Sequence, residues 1–336
     1  MRKLSSSNRS NWLKKLTSSR EFSLLLIIIV LCAVIQLRNS NFLTANVIDS
    51  ILKNYSYTMT LSVGMLMVLL IGGIDISIGS TLAISGMCAS LLMRAGVLPN
   101  AFCVFAVSTI VGAFCGWIIG LVISKGKVIP IIATLGFQYI WRGMSYLISD
   151  FKSVNASSML QGYKQFAQSS TLGINNLVLI TLAVYVIFFI VLRWTKFGRR
   201  IYAIGSNPEA AVVSGIRIDR IKIAVYTMMG AICGLCGSMY VSYYASSQNN
   251  MATGIEMDVI ASCVVGGVSL SGGRGSVVGV LLGSLTIAII SKSLSLVGIN
   301  PFWQQALKGA IILVAVVINA TAQRNMEKRA LAKREV

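Results

Sequence analysis

Apolar runs of membrane-spanning length recur along almost the whole chain, and few folds accommodate that pattern. They lie at 22–37, 55–73, 77–95, 99–123, 128–148, 174–192, 222–244, 257–271, 276–294 and 303–319. A bilayer core takes about 20 consecutive apolar residues as one helix. Inside lipid every backbone amide must find its partner within its own segment or in a closed barrel. Hydrophobic residues make up 55% of the 336 positions and charged residues only 12%, about half the usual charged share. Such a chain is neither a soluble enzyme, a disordered protein nor a disulfide scaffold. The expected fold is all-α and polytopic, with about ten transmembrane helices.

The formal charge of +19 would suggest nucleic acid in a soluble chain. Here the basic residues collect in a few polar segments. Assigning both termini to the cytoplasm places 21 of the 29 Lys and Arg on cytoplasmic segments and 6 on the outer ones, the bias that orients membrane proteins. The expected division is a basic cytoplasmic tail at 1–21, one membrane domain at 22–320 and a second basic tail at 321–336. The run 22–37 lacks a following small-residue cleavage site and reads as a first, uncleaved span. With no His in the chain, histidine proton relays and histidine metal sites are excluded. The Cys233-Gly-Leu-Cys236 spacing matches a redox motif, but within an apolar run it reads as small packing residues. No metal or other cofactor is expected.

Two stretches repeat a pattern 194 residues apart: Gly72-Gly73-Ile-Asp75-Ile-Ser77-Ile-Gly79 and Gly266-Gly267-Val-Ser269-Leu-Ser271-Gly272-Gly273. Paired glycines weaken a helix and free the backbone to turn. A following Asp or Ser can accept from the first amides of a new helix. Glycine-interrupted segments at matching places in two halves of a membrane protein point to a translocation path. Asp75 fits two roles, a cap or a solute contact. Arg142, Glu256 and Asp258 lie near apolar spans and are candidate solute contacts or caps. Asn54, Tyr55, Tyr57, Gln138, Tyr139, Trp141, Tyr243 and Tyr244 offer polar or aromatic contacts, or serve as interface aromatics. Whether the two glycine breaks run parallel or inverted is open.

The segment 193–222 carries a complete short-helix signal. Asn207 suits the N-cap, Pro208 the first helical position and Glu209 the positive end of the dipole, and Gly215 suits a left-handed stop. Ala210 and Ala211 lie between. A helix of about seven residues is too short to persist alone, so it reads as a docking element.

Four ordered motifs then converge on one family. Gly72–Ser80, Ala203-Ile-Gly-Ser-Asn-Pro-Glu-Ala-Ala211, Gly254–Gly275, and Ala133-Thr-Leu-Gly136 with Arg142-Gly143 resemble the permease subunits of ribose-type monosaccharide ABC importers. The resemblance covers about 42–319. It implies a subunit of the bacterial inner membrane that pairs with a second permease, as a homodimer or heterodimer. Two cytosolic ATP-binding cassette subunits would dock at 207–215, and an extracytoplasmic sugar-binding protein would deliver the solute. The chain has no Walker-type phosphate loop, so ATP hydrolysis belongs to the partner and this chain is not an enzyme. Related permeases for nucleosides or a furanose-like signalling molecule, and an ion-coupled transporter with Asp75 as coupling residue, are the alternatives. Partners other than these proteins and the lipid bilayer, nucleic acid included, are not expected.

Overall fold

The computed structural model describes residues 20–296 and, beyond them, Gly298, Asn300, 303–307, 309–310, 313–314 and Val317. Most of the expected first tail, all of the second and part of the expected last span therefore lie outside the described residues. The helices are α1 (Arg20–Arg38), α2 (Ala45–Leu70), α3 (Ile78–Arg94), α4 (Ala101–Lys125), α5 (Pro130–Ile148), α6 (Gln161–Gln168), α7 (Asn176–Trp194), α8 (Lys196–Ser206), α9 (Pro208–Val213), α10 (Ile218–Tyr244), α11 (Ile255–Val265) and α12 (Val277–Leu296). Among the described residues, five helices are long and apolar enough to cross a bilayer: those at Glu21–Arg38, Ala101–Lys125, Asn176–Trp194, Ile218–Tyr244 and Val277–Leu296. The chain is a multi-pass membrane protein.

The caps follow from local chemistry. Asn100 accepts from the Cys103 amide at 3.0 Å to start α4, and Asn175 accepts from Leu177 at 2.9 Å to start α7. Thr195 accepts from Gly198 at 3.1 Å and restarts the chain as α8 directly after α7. The eighth apolar run, 257–271, departs from its expectation as a span. It is helical only through Val265, and the 11 residues of α11 reach about 16 Å, too little to cross. Hydropathy registers the apolar side chains of that run but not the left-handed glycines that stop the helix.

α10 lies at the centre. It packs along α4 on a ladder of small residues, where a methyl at Gly112 would overlap the Gly230 carbonyl and one at Gly116 would overlap that of Tyr226. Ser108 donates to Gly234 O at 2.6 Å across the same seam. Without a hydrophobic drive between helices in lipid, close backbone approach supplies the packing. At one end, the loop after α5 forms β1 (Val154–Asn155), which pairs antiparallel with β4 (Ser246–Ser247). A small hairpin, β2 (Ser170–Thr171) with β3 (Ile174–Asn175), leads into α7. The basic segment with α8 and α9 lies at the opposite end.

Candidate functional site: two broken segments, a basic junction and a polar cavity

Both glycine breaks are the same helix stop. At the end of α2, Gly72 (φ +76°) donates to Leu69 O and Gly73 to Val68 O, each at 2.9 Å. At the end of α11, Gly267 (φ +88°) donates to Val264 O and Val268 to Cys263 O, again at 2.9 Å. This paired closure satisfies the last carbonyls of a helix and needs a left-handed residue. The matching left-handed residues are thus Gly72 and Gly267, so the two segments align one residue away from their sequence repeat. Gly266 is the last right-handed residue of its helix end. The breaks run parallel. The Cys263 thiol lies against Ser62 O, and Gly273 donates to Leu70 O at 2.9 Å, so α2 and α11 descend in the same direction, and α2 runs on past the level at which α11 stops.

The second half of each segment differs. After α2 the chain runs unwound through Asp75 to α3. Asp75 is buried, and its Oδ1 accepts from the Ser77 amide at 2.9 Å and the Ser77 hydroxyl at 2.6 Å. It braces Ser77, the N-cap residue of α3, through this two-residue turn and is not among the residues that line the cavity described below. In the other copy the unwound stretch precedes the helix, at 248–254. The starts of α3 and α11 meet: a Cβ at Gly79 would lie 3.1 Å from Glu256 Oε2.

One face of α5 holds both unwound stretches. Thr134 Oγ1 accepts from Ile76 N and donates to Ile74 O, both at 3.2 Å. Gln138 donates to Glu256 Oε1 at 3.4 Å. Arg142 donates to Asn249 O at 2.7 Å and Met251 O at 2.9 Å, while Ser145 and Ser149 donate to Asn249 Oδ1. The opposite side exposes Ile132, Tyr139, Ile140 and Leu147, as lipid requires. Polar groups turned inward satisfy the backbone that the breaks release. Arg142→Leu would leave those two carbonyls unpartnered at a cost of about 2–3 kcal/mol. Its expected result is a lower melting temperature in detergent and new protease cleavage near Asn249, with insertion retained.

A cavity of about 1120 Å³ opens at the end away from the basic segment. Its walls include Asn54, Tyr57, Tyr240, Tyr244, Asp258 and Lys292. The ring centroids of Tyr57 and Tyr240 are 5.2 Å apart, and those of Tyr240 and Tyr244 4.5 Å. Lys292 Nζ donates to Ser50 Oγ at 3.1 Å, and Asn54 donates to Ser50 O at 2.8 Å. Aromatic faces among a few oriented polar groups suit a small polar solute with C–H surfaces.

At the basic end, Asn207 Oδ1 accepts from Ala210 N at 3.0 Å and Pro208 begins α9. Gly215 (φ +77°) donates to Val212 O and Ile216 to Ala211 O, closing the six-residue helix. Ala211 is buried, whereas Val212 and Val213 are exposed, Val213 by 89%. Just before α9, Gly205 lies in the crook of both breaks. Any side chain there would overlap Leu70 O and Gly273 N.

Residues 47–316 match the family model described as branched-chain amino acid transport system / permease component. The chain belongs to this permease family. Among its relatives, the ribose import permease protein RbsC of Escherichia coli K12 is 35% identical over 303 residues, covering 89% of this chain and 93% of the relative. The galactose/methyl galactoside import permease protein MglC of the same organism is 34% identical, covering 91% and 95%. The L-arabinose ABC transporter permease protein AraH of Azospirillum brasilense is 31% identical, covering 92% and 89%. No solved structure matches.

In this permease the candidate residues separate into three groups. Gly72, Gly73, Asp75, Ser77 and Gly79 build the first break, and Gly266, Gly267, Ser269, Ser271, Gly272 and Gly273 the second. Asn207 to Gly215 form α9. Asp258 faces the cavity, whereas Glu256 is buried against Gln138 and Gly79, and Arg142 grips backbone. Tyr240 and Lys292 enter only with the structure, whereas Thr134 and Gly205 lie inside the sequence motifs and gain their contacts here. The polar spacing of Thr134, Gln138, Arg142, Ser145 and Ser149 along one helix face is the signal that would have disclosed the α5 spine.

Proposed function

We propose that this chain is the transmembrane subunit of an ATP-driven importer of the bacterial cytoplasmic membrane. It passes a monosaccharide of the ribose or galactose kind through the cavity at Asp258 and Lys292. The observation that carries the reading is the seating of Gly205 between the two breaks, immediately before a short helix with unpartnered valines. The α9 end faces the cytoplasm, as the basic bias of 193–222 requires. Val212 and Val213 enter a groove on a cytosolic ATPase subunit. Around Val212, Arg217, Arg220 and Lys222 stand beside Lys125 and Lys127, which share Asp219, and this basic excess favours an acidic rim on that partner.

A second permease subunit closes the open side of the cavity, and a sugar-binding protein docks at the far face. ATP-driven movement of α9 reaches the breaks through Gly205 and shifts α3 and α11, whose starts form the floor between cavity and cytoplasm. Tyrosine faces cover the sugar's C–H surface, while Asn54, Asp258 and Lys292 exchange hydrogen bonds with its hydroxyls. A site that binds weakly releases solute readily, and the delivery protein supplies the selection.

The test is uptake of labelled ribose and galactose into vesicles containing the permease, its ATPase subunits and the binding protein. ATP-dependent accumulation is expected, and Val213→Asp should reduce it at least about tenfold by burying an unpaired charge in the docking groove, with the chain still inserted. Accumulation by the permease alone, driven by an ion gradient, would refute the reading.

A further inference from the structure

A second pocket, of about 530 Å³, lies at the basic end between the last turn of α7, α8, the start of α12 and the start of α1. Phe189, Leu192 and Val278 form its apolar wall, and Arg193, Arg199 and Tyr202 its polar one. Neither arginine has an acidic partner within salt-bridge distance among the described residues. Among the described residues Arg199 Nη1 donates to the Trp194 carbonyl, at 3.3 Å. Ser276 Oγ accepts from Gly279 N at 3.0 Å, so the N-terminus of the 20-residue α12 opens beside the same space. One acidic side chain is present, Glu21, and its carboxylate accepts from the Ser276 hydroxyl at 3.2 Å. Two guanidinium groups and a helix N-terminus outweigh that single carboxylate.

The position selects the ligand. α7 is the most apolar of the candidate spans and ends at Trp194, where the charged segment begins. Its last turns therefore lie where hydrocarbon gives way to headgroups, with Trp194 exposed as an interface aromatic. Arginines stand above and an apolar wall below, an arrangement complementary to a phosphodiester on an acyl chain. We infer that this pocket is a seat for one anionic phospholipid headgroup, held by Arg193 and Arg199. The lipid then touches α8, the element leading to Gly205, so the seat joins the bilayer surface to the junction.

The experiment is native mass spectrometry of the full chain in mild detergent, with phosphatidylglycerol, phosphatidylcholine or sn-glycerol 3-phosphate added. One phosphatidylglycerol should stay bound at collision energies that strip phosphatidylcholine, and glycerol phosphate should give no adduct. Arg193→Gln with Arg199→Gln should lower occupancy at least about tenfold, since both charge-assisted hydrogen bonds to the phosphate are lost. Lys196→Gln with Arg200→Gln removes equal charge from the same helix region but outside the pocket lining, where exposed charge is screened by salt, and should change occupancy less than about twofold. Both pairs alter exposed side chains, so folding is retained. Equal retention of phosphatidylcholine, unchanged binding in the first pair, or equal losses in both pairs would overturn the seat. A comparable glycerol phosphate adduct would overturn the lipid in favour of a free phosphate ion.

Discussion

Gly205→Val is expected to abolish sugar uptake while leaving the chain in the membrane. Three backbones converge at this glycine: the end of α2 at Leu70, the second break at Gly273, and α8 itself. Gly273 N donates to Leu70 O at 2.9 Å, and a Cβ at Gly272 would already lie 3.1 Å from both Gly205 O and Gly72 N. Nothing flexible lines the spot, so a side chain cannot be absorbed by a rotamer change. Either α8 lifts off or the Gly273–Leu70 bond opens. Overpacking of this kind costs about 1–3 kcal/mol or more. That cost falls on the contact through which α9 is proposed to drive the breaks. Uptake should therefore drop by at least about tenfold, with membrane abundance close to wild type. Gly136→Ala and Gly143→Ala are the controls, because nothing lies within 4 Å of a Cβ at either position. Both should transport normally. Normal uptake by Gly205→Val in the assembled transporter would remove the junction from the mechanism.

The contrast between α9 and the α5 spine marks what the sequence makes legible. The residues 207–215 specify their own helix, because Asn, Pro and left-handed Gly act within a few positions of one another. The glycine pairs likewise announce that two helices stop. They do not announce where, because identity matching pairs Gly72 with Gly266, whereas the left-handed residues are Gly72 and Gly267. Gly266 is a right-handed helix end, and it is glycine because a side chain there would overlap Gly279 and Val280. Arg142 shows the other limit. Its partners are the carbonyls of Asn249 and Met251, more than 100 residues away, in an unwound stretch without periodicity. Glu256 and Asp258 stand two positions apart, and only the placement of α11 decides that one meets Gly79 and the other the cavity.

The largest effect on the fold itself is expected from Gly116→Leu. The ladder Gly112, Gly116 and Gly120 of α4 lies against Gly230, Gly234 and the backbone of Ile223 and Tyr226 in α10. Even a methyl at Gly116 would overlap the Tyr226 carbonyl, so a leucine must push two helices apart along their whole seam. Every van der Waals contact between them then weakens together, and in lipid no hydrophobic gain compensates. Tyr226 carries the damage further. It is fully buried, and a Cβ at Gly73 would lie 2.5 Å from its hydroxyl, so displacing α10 also displaces the first break. The expected outcome is loss of the monodisperse peak on size-exclusion chromatography and of a cooperative melting transition. Gly143→Leu, pointing into open space, should keep both. The α4–α10 pair would then be the fixed body against which α3 and α11 move. A folded Gly116→Leu protein with an ordinary melting temperature would show that the seam yields, and the breaks would need another fulcrum.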